Sequence, residues 1–229
     1  MTIHDLSRTA PSLPGRWTTG REVGSLLAVP VLLIVLLVSF PPAVDSDVTD
    51  VASAESALDA TLRHPLGTWF GFLVVAAIYL LLASALTPLV RTTRGRGALL
   101  VRVGHALVTL GAVGLAVENA IVGIVLRAVT TGGVDHDAAV SVLLSLLRDG
   151  GPASPLLWLG LGMLVGPVFL LIGAIRSETT PWWHGLLAGA AVIGMIVTRP
   201  GVSGTIYLVV VVALTAALIP VALRSSTDR

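Results

Sequence analysis

One acidic side chain lies inside an apolar stretch. Glu118, followed by Asn119, interrupts residues 106–126, which otherwise carry no charge. A charged side chain at the depth of a membrane helix costs about 3 kcal/mol, so we expect it to be protonated, paired or turned toward a polar cavity. A proton-coupled carrier uses such a glutamate, because its charge can be neutralised as it moves between the two sides. The alternative is a structural glutamate near the outer boundary, hydrogen-bonded with Asn119 to a neighbouring helix.

Two histidines each open a stretch rich in glycine and alanine. His105 begins HALVTLGAVG and His184 begins HGLLAGAAVIG. Neutral imidazoles on facing helices can ligate a haem iron or relay protons. Both histidines also lie close to a predicted membrane boundary, where an interfacial role needs no ligand. His64 and His136 have acidic neighbours but lack the spacing of metal ligands, so we assign no metal and no cofactor.

The sequence lacks the motifs of the common enzyme classes. It contains no cysteine, which removes thiol catalysis and thiolate metal sites. It also has no HExxH motif, phosphate-binding loop or GxSxG elbow. The net charge is only +1, and no basic block is interleaved with aromatic residues. We therefore expect neither an enzyme nor a nucleic-acid partner.

The elements that position these residues are predicted to be membrane helices. Of the 229 residues, 55% are hydrophobic and 12% charged, whereas a soluble domain carries about 25% charged residues. About 20 apolar residues cross a bilayer. Six stretches approach that length, which predicts an all-α polytopic fold between a tail at 1–23 and a tail at 224–229. The predicted spans are 24–40, 69–90, 103–126, 155–175, 182–197 and 204–223.

Arginine distribution predicts that both chain ends are cytoplasmic. Ten arginines then lie inside and four outside, and the acidic residues of both long outer loops lie outside as well. All fourteen basic residues are arginine, a bias typical of GC-rich bacterial genomes, so we expect a bacterial plasma membrane. The alternative interpretation of the first span, a cleaved secretory signal, is disfavoured by the length of its apolar core. The inside set is Arg8, Arg16, Arg21, Arg91, Arg94, Arg96, Arg102, Arg176, Arg224 and Arg229; the outside set is Arg63, Arg127, Arg148 and Arg199.

Each long outer loop is predicted to contain an amphipathic interfacial helix. The second loop has apolar residues at i, i+3, i+4 and i+7, and the first loop has a weaker stripe. These stripes would lie on lipid headgroups or over the mouth of the bundle. A substrate lid and a contact with another membrane protein or a second copy are the alternatives. The stripes are Val140, Leu143, Leu144 and Leu147, and Val51, Ala54, Leu58 and Leu62.

Spans two and three resemble spans four and five in sequence. HPLGTW at 64–69 compares with SPLLW at 154–158, and His105 corresponds to His184. Corresponding spans point the same way, which is typical of a parallel repeat. Glycines four residues apart, at 67 and 71, 162 and 166, and 185 and 189, favour close helix contacts.

Residues 63–127 resemble a group of uncharacterised six-helix membrane proteins common in actinobacteria. The resemblance is carried by HPLGTWFGF at 64–72, LVRTTRGRG at 89–97 and VGHAL at 103–107. It implies six helices with acidic outer loops before the second and fourth, and it transfers no functional residue. Three functions stay open. They are a small carrier using Glu118, a structural or sensory membrane partner, and a haem-binding redox protein using His105 and His184.

Overall fold

The computed structural model describes residues 15–39, 51–147, 154–177, 179–197 and 202–227. Within these residues all regular structure is helical. The predicted outer charges at Asp45, Asp47, Asp50, Arg148, Asp149 and Arg199, and most of the predicted amino-terminal tail, lie outside this part. The helices are α1 (Gly15–Ser39), α2 (Val51–Arg63), α3 (Pro65–Ala85), α4 (Thr87–Thr92), α5 (Ala98–Thr131), α6 (His136–Leu147), α7 (Ser154–Ile175), α8 (Trp182–Val197) and α9 (Val202–Thr227), with a 3-10 turn at Gly95–Gly97.

Three helical segments are long and apolar enough to cross a membrane among the described residues, namely Trp69–Thr92, Gly95–Thr131 and Trp158–Ile175. They fall on the predicted second, third and fourth spans. The described apolar parts of α1 and α9 are shorter, at Val23–Val35 and Leu208–Pro220. The chain is therefore an all-helical protein with membrane-spanning capacity.

Helix ends depart from the predicted spans where local chemistry starts or stops a helix. Pro65 begins α3, because proline fits the first helical turn, where its missing N–H is not needed. The predicted second span is divided at Leu86, two residues before Pro88. α5 runs five residues beyond its predicted span at each end. It stops at Gly132 and Gly133, and the latter has a φ of 64°, a backbone conformation that favours glycine.

The six long helices form a closed ring. In ring order they are α1, α3, α5, α7, α8 and α9, and α9 packs back against α1. Buried side chains from all six form one apolar core, which includes Leu26, Ile78, Val108, Leu170 and Leu214. Thr215 closes the ring by donating its hydroxyl to the Leu26 carbonyl oxygen, 3.0 Å away on α1. The predicted hairpin partners, α3 with α5 and α7 with α8, are neighbours in this ring.

The contact between α5 and α7 is a seam of glycines that brings two backbones together. A Cβ atom added to Gly104 would lie 2.7 Å from the Gly166 carbonyl oxygen, and one added to Gly97 would overlap the Gly173 carbonyl. One added to Gly111 would lie 2.6 Å from the Met163 nitrogen. Glycine is required here because any side chain would separate the two helices.

The predicted glycine pairs contribute unequally to helix contacts. Gly162 and Gly166 both lie against the α5 backbone, as expected. Gly185 lies against α7, where an added Cβ would be 2.6 Å from that of Ala174, but Gly189 has only an ordinary contact with Pro167. Gly67 has no close neighbour on another helix. Four-residue spacing therefore identified one complete contact pair.

The α2 and α6 helices pack on the bundle through their apolar faces. Ala54 and Leu58 of α2 and Val140 and Leu143 of α6 are buried in a second apolar cluster, with residues of α3 and α5. In α2 the predicted stripe is partly wrong, because Val51 and Leu62 are exposed. α2 and α6 therefore cover the end of α5 that extends past the start of α7.

Candidate functional site

Glu118 continues the glycine series of the helix seam. Gly97, Gly104 and Gly111 are spaced by seven residues, and Glu118 is the next position in that register. Residues seven apart lie on the same helix face, so Glu118 is on the side of α5 that meets α7. It lies one turn, about 6 Å, beyond Gly114, which contacts Leu156 near the start of α7. Glu118 is therefore level with the first turn of α7.

Two apolar clusters enclose this position along α5. Ala116 is the last α5 residue of the main core, and Val122 is the first α5 residue of the second apolar cluster, which includes α2 and α6. Glu118 and Asn119 lie between them and are partly buried. The two residues therefore form a polar layer between the main core and the second apolar cluster.

The Glu118 carboxylate makes no hydrogen bond or ion pair with the residues that the structure describes. The hydroxyl of Tyr79 on α3 is close enough to interact electrostatically with the Glu118 carboxylate. Arg127, the nearest arginine in sequence, lies over the Trp69 ring, 4.5 Å from its centroid. Arg127 is nine residues from Glu118, about 13 Å along the helix axis, and is therefore a poor counter-ion for it.

Asn119 bonds within its own helix. Its Nδ2 donates to the Leu115 carbonyl oxygen at 2.8 Å. This hydrogen bond turns the Asn119 amide back along α5 rather than toward a neighbouring helix. Its partner in sequence, Glu118, keeps its carboxylate available.

The two histidines occupy different surroundings. A ring nitrogen of His105, Nε2, lies 3.0 Å from the Ala83 carbonyl oxygen on α3. His184 is buried, lies near the Ala217 backbone on α9 and stacks on Trp183 with ring centroids 3.9 Å apart. Its Nδ1 has no partner in the described residues. The structure thus places the two rings against different helices.

This arrangement is suited to holding and releasing a small cation. A partly buried carboxylate without a fixed positive partner can accept a proton or a cation, because neutralisation removes the cost of burying its charge. The described residues hold no group of three or more histidine or acidic side chains that could bind a metal ion.

Sequence reasoning identified Glu118 and missed its environment. Tyr79 was available as a signal, because a phenol in the middle of an apolar span requires a polar neighbour. The seven-residue series of glycines that ends at Glu118 was another. Both signals acquire meaning only when α3 and α7 are packed against α5.

Comparison of the chain with protein-family models, with curated proteins and with solved structures finds no match.

Proposed function

We propose that the chain is a six-span protein of the bacterial plasma membrane, with both ends in the cytoplasm, and that it belongs to the actinobacterial group named above. All six ring helices carry large apolar side chains on their outer surface, which supports contact with lipid. The arginines concentrate at one end of the ring, and α2 and α6 cover the other. Representative exposed residues are Val31, Leu80, Leu110, Val168, Leu186 and Val209.

Topology is testable because the natural chain has no cysteine. We expect single cysteines at Glu55 and Asp135 to react with a membrane-impermeant maleimide in intact cells. Cysteines at Arg96 and Thr227 should react only after the membrane is permeabilised. Gel-shift labelling measures both. Reaction at Arg96 in intact cells, or opposite sidedness of Arg96 and Thr227, would contradict the proposed arrangement.

We infer that the protein is a small carrier in which Glu118 binds a proton or a monovalent cation. The single observation that carries this proposal is an acidic side chain at the junction of two apolar clusters, with no fixed counter-ion among the described residues. A permanent ion pair would hold the charge in place, whereas an unpaired carboxylate can be loaded and emptied. Glu118 is level with the first turn of α7 and lies close to α2 and α6. A cation would enter from that end of the bundle.

The alternative functions have less support. A partner protein that uses the apolar faces of α2 and α6 for docking requires those faces to be free, but their central residues pack inside the chain. A haem bridge between His105 and His184 requires both rings to face one iron, whereas they lie against different helices. The carrier proposal uses a carboxylate that makes no hydrogen bond or ion pair with the described residues.

A hydrophobic carbodiimide tests whether Glu118 is a protonatable carboxyl within the membrane. Such a reagent partitions into lipid and converts a protonated carboxyl into a stable N-acylurea. We expect peptide mass spectrometry to find the adduct on Glu118 and to find none in the Glu118→Gln protein. Glu55, exposed on α2, is the control that should stay unmodified. An unmodified wild-type Glu118 would remove the proposed role.

A further inference from the structure

Hydroxyl groups join two loops at the arginine-rich end of the ring. The first loop follows α4 and the second connects α7 to α8. Thr93 and Thr180 are both buried, with their hydroxyl oxygens 3.1 Å apart. Thr179 donates its hydroxyl to the Thr92 carbonyl oxygen at 2.6 Å and accepts the Arg94 N–H at 3.1 Å. The backbone around Arg94 is therefore held in a fixed position beside the α7–α8 loop.

Arginines surround this joined pair of loops. Arg94, Arg96, Arg102 and Arg176 are exposed, and we call them the basic edge. Their side chains form no ion pair with the described residues. The close contact of Gly97 with Gly173 and Ser177 brings Arg96 and Arg176 to the same region. Segments 91–102 and 176–181 together contain five arginines and one acidic residue, Glu178, so this end of the ring attracts anions.

Large apolar side chains lie next to these charges. Leu99 is 68% exposed and lies three residues before Arg102, and Ile175 is 61% exposed and directly precedes Arg176. Trp182, at the start of α8, is 58% exposed, and tryptophan is typical of membrane interfaces. A soluble anion would need only the arginines. Charges bordered by exposed apolar surface match a ligand with a charged head and hydrocarbon chains.

We propose that the basic edge binds the phosphate headgroup of an anionic phospholipid of the inner leaflet, whose acyl chains lie along Leu99 and Ile175. The loop hydroxyls orient the backbone that carries Arg94, while Arg96, Arg102 and Arg176 supply the charge. This inference uses the proposed inside placement of the loops but not a transport role for Glu118. Loss of transport and loss of lipid binding are therefore separate results.

Native mass spectrometry of the purified full chain tests the proposal. Protein in a non-ionic detergent is titrated with phosphatidylglycerol and, separately, with phosphatidylcholine. We expect phosphatidylglycerol adducts to be retained about ten-fold better, and this preference to fall as salt screens the charges. Equal retention of the two lipids by the wild-type protein would overturn the proposal without reference to any variant.

Charge-matched pairs of substitutions locate the site. The inner pair, Arg94→Gln with Arg176→Gln, should weaken phosphatidylglycerol binding by about ten-fold or more, because each arginine near the surface contributes roughly five-fold. The outer pair, Arg63→Gln with Arg127→Gln, removes the same charge at the opposite end of the ring. It should change phosphatidylglycerol binding by less than about two-fold. Equal losses in both pairs would overturn the assignment.

Two further arms distinguish a lipid from a soluble phosphate. Glycerol 3-phosphate and inorganic phosphate should not displace the phospholipid at equal concentration, because neither offers hydrocarbon to Leu99 and Ile175. The Leu99→Asn variant should weaken lipid retention while the arginines stay in place. Displacement by either soluble ion, together with unchanged binding by Leu99→Asn, would assign the basic edge to free phosphate and overturn the lipid proposal.

Discussion

Everted membrane vesicles that contain the Glu118→Gln protein are expected to show no cargo-induced proton movement. In respiring vesicles that contain the wild-type protein, addition of the right cargo should release accumulated protons, which a pH-sensitive dye reports. Glutamine keeps the size and hydrogen-bonding capacity of the side chain but cannot change its charge. If loading and unloading of Glu118 drives the cycle, the signal should fall to that of vesicles without the protein.

The controls separate a loss of coupling from a loss of folding. Glu118→Asp keeps a carboxyl one methylene shorter and should retain partial activity. Glu55→Gln removes a carboxylate from the exposed face of α2 and should behave as wild type. Candidate cargoes are alkali cations, organic cations and small metabolites. Equal dye responses from wild-type and Glu118→Gln vesicles would contradict the carrier proposal, as would a wild-type protein that responds to none of the cargoes.

The transport role proposed for Glu118 also involves Tyr79, a buried residue of α3. Tyr79 is 8% exposed, and its hydroxyl interacts electrostatically with Glu118 on α5. A loaded and an empty carboxyl differ in their attraction for that hydroxyl, so Tyr79 is placed to respond to the state of Glu118. The sequence offered Tyr79 as an isolated polar residue, and only the packing of α3 against α5 connects it to the site.

Hydrophobic length made the helices predictable, whereas packing decided their ends. The apolar runs at 69–90 and 103–126 predicted helices because a backbone in lipid must satisfy its own hydrogen bonds. The extension of α5 to Thr131 was not apparent, because residues 127–131 include an arginine and two threonines. There Thr130 and Thr131 donate their hydroxyls to carbonyl oxygens of the preceding turn, and α2 and α6 supply apolar cover.

The cost of burying a polar residue was easier to anticipate from the sequence than the partner that the residue finds. Glu118 could be recognised because its cost depends only on its apolar surroundings in sequence. The partner of Asn119 could not, because a hydrogen bond within the helix and one to a neighbouring helix are equally compatible with the sequence. The two similar stretches that begin at His105 and His184 are a second case in which the sequence does not reveal the partners. The sequence aligns them, but their rings meet α3 and α9 respectively.

Replacement of Gly104 by leucine is expected to remove most of the folded protein. The first added atom, Cβ, would lie 2.7 Å from the Gly166 carbonyl oxygen and 2.8 Å from the Leu170 nitrogen. Both are backbone atoms and cannot rotate away as the end of a side chain can. Overpacking of a well-packed contact costs about 1–3 kcal/mol and occasionally more, and the upper part of that range applies here. Unfolding by sodium dodecyl sulfate in mixed micelles measures the loss.

Gly24→Leu provides the matched control. Gly24 lies on the exposed face of α1, and no atom lies within 4 Å of an added Cβ. Replacing glycine by leucine stabilises a helix by roughly 1 kcal/mol through intrinsic propensity at either position. The difference in stability between the two variants therefore isolates the contact with α7. We expect Gly24→Leu to be as stable as wild type or slightly more stable. Equal stability of the two variants would show that α5 and α7 are not held together at Gly104, and Glu118 would then lose its fixed position beside the start of α7.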